Sequence, residues 1–180
     1  MLDPGIGSLI VVAFALLFAH AALNKWRNVA EFGAVLANYR LLPAWSVTAA
    51  AIAVPAVESA IALLLLASAT RPAAAIAGAV LLVAYGGAIA INLRRGRRDL
   101  DCGCAGPADR RPIAAWMVWR NVVLAAAIAA ASGPWSGRAL GWVDLVTVGG
   151  GLAVLVLLYV TIDRLLGRVM PRGAELRGAR

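Results

Sequence analysis

The chain has 180 residues, is 62% hydrophobic and 14% charged, and its mean hydropathy is +0.83. Soluble domains run at about 45–50% apolar and about 25% charged, so a water-soluble fold of this size and a disordered chain are both excluded, and a bilayer is the solvent that suits the composition. The net charge of +8 does not point to nucleic acid, because the basic residues flank apolar runs and no basic platform interleaved with aromatics appears.

The first apolar run, 5–23, is long enough to span a membrane, which takes roughly 20 residues. In lipid such a run must be helical, since its backbone groups have to be paired within the segment. Ala19-His20-Ala21 looks like a small-residue cleavage site, but the start, Met1-Leu2-Asp3-Pro4, has no basic n-region, so an uncleaved helix is expected. His20 is read either as a packing residue or as an acid or base for a nearby thiol. Val29, Phe32, Leu36 and Tyr39 then recur at helical spacing, and Leu41-Leu42-Pro43 ends the run. This predicts a short helix lying in the membrane interface.

The second run, 44–69, carries Pro55, which should kink its helix, and Glu58 near its middle. The third, 73–93, contains Gly86-Gly87, read as a packing site, and ends on Asn92. The fourth, 113–131, carries Arg120 and Asn121, and the fifth is 142–162. Ionisable groups inside a span are costly and usually face a partner. Glu58 and Arg120 sit at similar depths, so an ion pair between them is predicted, as a packing clamp or as part of a functional site. Asn92 and Asn121 are expected to hydrogen-bond across helices. The fold class is therefore all-α: one integral membrane domain over 1–180, a bundle of five transmembrane helices with an interfacial helix after the first.

Five spans place the loops after the first and third helices, and the C-terminal tail, on one side. That side holds Lys25, Arg27, Arg40, the arginines between 94 and 111, and those of the tail; the other holds Arg71 and Arg138. By the positive-inside rule the rich side is cytoplasmic. The expected placement is the plasma membrane, with the N-terminus outside and both the C-terminus and the loop after the third span inside.

That loop contains the only two cysteines, in Asp101-Cys102-Gly103-Cys104, after Arg94-Arg95-Gly96-Arg97-Arg98. Cysteines used for packing behave as buried hydrophobes, whereas these lie outside an apolar run. Three chemistries remain open. A thiol–disulfide pair would be a short, strained and labile ring, with Gly103 supplying the backbone freedom. Arg94, Arg95, Arg97 and Arg98 would favour the thiolate, while Asp99 and Asp101 oppose it. A zinc site needs four ligands, more than two cysteines and one distant histidine provide, so it would have to draw on Asp101 or on a second protomer, and no metal ligand is assigned. An inert turn is the third. One pair carries two electrons and has no second pair to pass them to, so a redox role requires an outside thiol, another subunit or a quinone. A cytoplasmic loop would also hold no stable disulfide at rest.

The run Asn92-Leu93-Arg94-Arg95-Gly96-Arg97, then Asp101-Cys102-Gly103-Cys104 and Gly106, with Arg120-Asn121 beyond, resembles the signature of the methylamine utilisation MauE family. Lys25 to Phe32, Tyr39 to Pro43, Pro55 and Glu58 resemble the wider DoxX-like membrane family. The resemblance implies a small polytopic inner-membrane protein. It also implies a thioredoxin-like partner, in the maturation of a disulfide-rich periplasmic dehydrogenase subunit.

The function expected is thiol–disulfide exchange at Cys102 and Cys104 with an external redox partner, in contact with lipid and not with nucleic acid, and without a resident cofactor, a quinone being left open. The alternative is a non-catalytic membrane subunit or small transporter, with Glu58, Arg120, Asn92 and Asn121 lining a polar cavity and the cysteines serving as a structural turn or a metal clasp.

Overall fold

A computed structural model describes residues 3–102, 112–133, 135 and 138–178; of the side chains beyond residue 162, only that of residue 165 is described. The described residues are helical throughout, apart from turns and short extended links. In chain order the helices are α1 (Pro4–Arg27), α2 (Val29–Tyr39), α3 (Val47–Leu66, entered through a single turn at Ala44–Ser46), α4 (Arg71–Arg94), α5 (Ala115–Ala130) and α6 (Trp142–Gly178).

Four helices, at Pro4–Arg27, Ala44–Leu66, Arg71–Arg94 and Trp142–Ile162, are long and apolar enough to cross a bilayer. The fourth apolar run, 113–131, forms a helix of only 16 residues, α5. It begins later than the hydropathy suggests because Ala114 is extended (φ −139°, ψ 156°) and the Ile113 N–H donates to the Leu100 carbonyl at 2.9 Å. These residues close the cysteine loop instead of lengthening the helix. With several apolar helices, the chain is a multi-pass membrane protein.

α1 and α3 pack antiparallel, as do α4 and α5, and α3 against α4 joins the two pairs. Val11, Phe14, Phe18, Ile61, Leu65, Leu82 and Ile128 form the main core, toward the end of the bundle that bears the N-terminus. Gly78 is required at its centre, since a Cβ there would stand 2.8 Å from Ile128 Cδ1 and 3.0 Å from Phe18 Cε2. At Gly86 α4 passes close to Asn121 of α5. α6 packs on α1 at its N-terminal part, where Gly151 meets Leu9, and leaves most of its apolar side chains exposed, as a lipid-facing helix does.

The predicted short helix after the first span is α2. It packs along α3, where Gly33 lies against Ala51. At the N-terminal end, Arg138 joins Asp3 and Asp144, at 3.2 and 2.8 Å, and ties the start of α1 to the start of α6. The Asp3 carboxyl is held below the usual carboxylate range, first by the Gly5 N–H that caps α1 and then by Arg138.

Candidate functional site

The site is built at the other half of the bundle, where α1 hands over to α2. Lys25 lies in the last turn of α1, where a cation complements the helix dipole. Its side chain turns inward and is only 6% exposed. The ammonium donates to both oxygens of Glu58, at 2.7 and 2.9 Å, and Glu58 is fully buried. The Tyr85 hydroxyl donates to Glu58 Oε1 at 2.7 Å. Three charge-assisted hydrogen bonds from α1 and α4 thus satisfy one carboxylate on α3. The Lys25 ammonium also lies over the rings of Phe32 and Tyr85, 5.3 and 5.5 Å from their centroids. One residue on, Trp26 Nε1 donates to Ser59 Oγ, which in turn donates to the Pro55 carbonyl.

This arrangement corrects the predicted ion pair. Glu58 pairs with Lys25, not with Arg120, and Tyr85 completes its coordination. Arg120 is half-buried on α5, its guanidinium 5.1 Å from the Trp116 ring and 6.0 Å from that of Tyr159. Lys25 and Tyr85 are the residues the sequence reading missed. Tyr85 did carry a signal: a phenol in mid-span needs a hydrogen-bond partner. Lys25 looked like one more flanking charge.

The expectation of asparagine bonds across helices is likewise overturned. Asn121 donates to its own helix at the Met117 carbonyl (2.8 Å), and Asn92 to the Ala88 carbonyl (3.1 Å). In lipid, a side-chain amide reaches the carbonyl one turn back at no cost in helix spacing. Asn92 has a second role, because its Oδ1 accepts from Arg97 at 3.2 Å.

Arg97 and Arg95 anchor the chain as it leaves α4. Gly96, at φ +75°, ends the helix; its N–H donates to the Leu93 carbonyl and that of Arg97 to the Asn92 carbonyl. This left-handed cap favours glycine. The Arg97 guanidinium also reaches the Tyr39 carbonyl (3.5 Å), and Arg95 reaches the Arg40 carbonyl (3.4 Å) at the end of α2. Arg94 and Arg98 are exposed. Arg95 and Arg97 therefore bind backbone carbonyls, and Arg97 an asparagine as well.

The cysteine loop is pinned at its base, where Asp101 and Pro112 form an antiparallel bridge. Cys102 follows directly. It is half-buried, packs beside Tyr39, Ile89, Ile113 and Met117, and is held in a disulfide rather than as a free thiol. Gly103 and Cys104 lie outside the described residues. On one side of Cys102 is a cavity of about 80 Å³, walled by Lys25, Phe32, Tyr39, Tyr85 and Ile89 among others. On the outer side of the loop base is an open groove of about 500 Å³ that includes Glu31, Asn38, Asp99 and Asp101. Burial, and then the charge of Asp101, push the Tyr39 phenol up to about 12. His20 is exposed on α1, hydrogen-bonded to Asn24 at 3.1 Å, and is not part of either wall. Among the described residues no three metal-ligating side chains cluster.

The sequence model of the family described as "Methylamine utilisation protein MauE" matches residues 4–136. Curated relatives agree. The methylamine utilization protein MauE of Paracoccus denitrificans is 40% identical over 134 residues, 74% of this chain and 72% of its own length. That of Paracoccus versutus is 42% identical over 154 residues (85% and 83%), and that of Methylophilus methylotrophus 33% over 167 residues (92% and 88%). No solved structure matches the chain.

Proposed function

The chain belongs to the MauE family, and from that premise we propose that it is a membrane thiol–disulfide exchange protein serving methylamine utilisation, with Cys102 and Cys104 as its redox pair. The observation that carries the reading is the placement of Cys102. It sits in a disulfide at the pinned base of a polar loop, half-buried on the wall of a cavity rather than sealed in the apolar core. An inert cysteine would be expected inside the core. The alternative role as a small transporter gains no comparable support, since Glu58, Asn92 and Asn121 are each engaged in hydrogen bonds of their own.

The partner is a thioredoxin-like dithiol, and exchange between the two proteins needs no resident cofactor. A partner thiolate attacks the disulfide, a mixed disulfide forms, and the partner's second thiol resolves it, leaving the partner oxidised and the pair reduced by two electrons. By the positive-inside count the loop faces the reducing cytoplasm, so the pair returns to its disulfide by passing those two electrons to a second acceptor, an oxidised protein disulfide or a quinone.

The test is a trap. A thioredoxin-like partner lacking its resolving cysteine should form a covalent adduct with the full-length protein in membranes. The Cys102→Ser, Cys104→Ser double variant should form none. A wild-type protein that forms no adduct, with both thiols staying reduced under every oxidant applied, overturns the proposal. After mild reduction, a membrane-impermeant maleimide should label the cysteines in inverted vesicles and not in intact cells.

A further inference from the structure

Building on this exchange role, we infer that Lys25 is a positioning residue for the reaction: when a partner thiolate opens the disulfide, Cys102 departs as the thiolate and the Lys25 ammonium stabilises it across the cavity they share.

The orientation of the buried pair supports this. Lys25 is on the cavity wall, whereas Glu58 lies behind it and is not. The Lys25–Glu58 pair is neutral overall, but of its two members only Lys25 lines the cavity that Cys102 also lines. The remaining walls are mostly apolar, including Phe32, Val35, Leu36 and Ile89. In such surroundings a charge is screened far less than in water. A buried ion pair is also an expensive way to hold helices together, since apolar residues of similar volume pack as well or better. Its cost is explained if the cation acts on something, and Cys102 shares its cavity.

The other ionisable groups near Cys102 do not replace it. Tyr39 from α2 stays neutral well into alkaline conditions, and Tyr85 from α4 donates to Glu58. Arg97 is bound to Asn92 and the Tyr39 carbonyl. Glu31, Asp99 and Asp101 line the outer groove and oppose an anion. Among the described residues, Lys25 is the cation on the wall of this cavity.

The step balances. The partner's sulfur bonds to the sulfur joined to Cys102, that S–S bond breaks, and its electron pair stays on Cys102. One disulfide replaces another, with no net redox change until the partner's second thiol attacks. A cation beside the departing sulfur lowers its pKa and makes it the better leaving group.

The test uses the full-length protein in lipid nanodiscs with Cys104→Ser, so that Cys102 is the single thiol. Its alkylation rate by iodoacetamide is followed against pH. Adding Lys25→Met with Glu58→Gln, which leaves no buried charge unpaired, should slow alkylation at neutral pH by about tenfold, equal to about one unit in the thiol pKa. Lys25→Arg should keep the original profile. Should the double variant fail to fold, Lys25→Met with Glu58→Leu, an apolar pair that leaves no buried polar group in its place, should move the profile to the same higher pH. A profile unmoved by either change overturns the role of Lys25. The mixed-disulfide trap scores exchange separately: an intact trap with an unmoved profile overturns this inference alone, whereas loss of the trap in the wild type overturns the exchange reading.

Discussion

The two halves of the bundle are built on opposite principles. Toward the N-terminal end, Phe14, Phe18, Leu65 and Ile128 share one apolar core, with Phe18 and Ile128 against Gly78 and no buried charge among the described residues. Toward the cysteine loop, a smaller cluster of Tyr39, Ile89, Ile113 and Met117 adjoins a buried ion pair, two buried asparagines and a cavity. Close packing in one half supplies stability, and the other half carries features that cost stability. Stability is commonly uneven in this way, with chemistry drawn from the looser part.

The contrast between the two halves is sharpest at Glu58. Glu58→Ala leaves the Lys25 ammonium buried without its carboxylate, and about 3–5 kcal/mol should be lost. Lys25→Met combined with Glu58→Leu should recover most of it, because an apolar pair of similar volume needs no desolvation. Unfolding in mixed micelles measures both. If the double variant is as unstable as the single one, the pair is a packing clamp and not a cost carried for the site. In the opposite half, Phe18→Ala should cost about 3 kcal/mol through the cavity it leaves, while the mixed-disulfide trap still forms. A loss of trapping out of proportion to the loss of folded protein would mean that the two halves are not separable.

Much of this division was legible in the sequence, and its failures have one cause. Hydropathy and helical spacing located every helix, because apolar runs in lipid have one viable form. The loop cysteines stood out by composition. What a single sequence does not encode is the axial offset between helices. Arg120 seemed to be the partner of Glu58 because both lie near mid-run. In the folded chain α1 continues past Leu23 to Arg27, which keeps Lys25 helical and delivers it to the depth of Glu58. Asn92 and Asn121 looked like bridges because their reach to their own helix is invisible without coordinates. The shortening of α5 follows from a tertiary contact, the Leu100–Ile113 hydrogen bond, which no local pattern announces.

The smallest effect tests whether the loop and α2 behave as one unit. The Tyr39 phenol is held neutral by burial, and further by Asp101 across the loop base, with its pKa pushed up from 10.0 to about 12. A raised folded-state value means that its contribution to stability is complete below about pH 10, where the unfolded chain is also neutral. Between 10 and 12 the unfolded chain ionises and the folded one resists, so stability falls, and beyond 12 the contribution is gone. Wild-type protein should therefore lose on the order of 1–2 kcal/mol more than Tyr39→Phe across that window, read from unfolding midpoints at pH 8 and 12. Asp101→Asn removes the second cause and should narrow the window from its upper end. If Asp101→Asn leaves the alkaline limb unchanged, the loop base and α2 are electrostatically independent, and α2 holds Cys102 through apolar packing at Tyr39 alone.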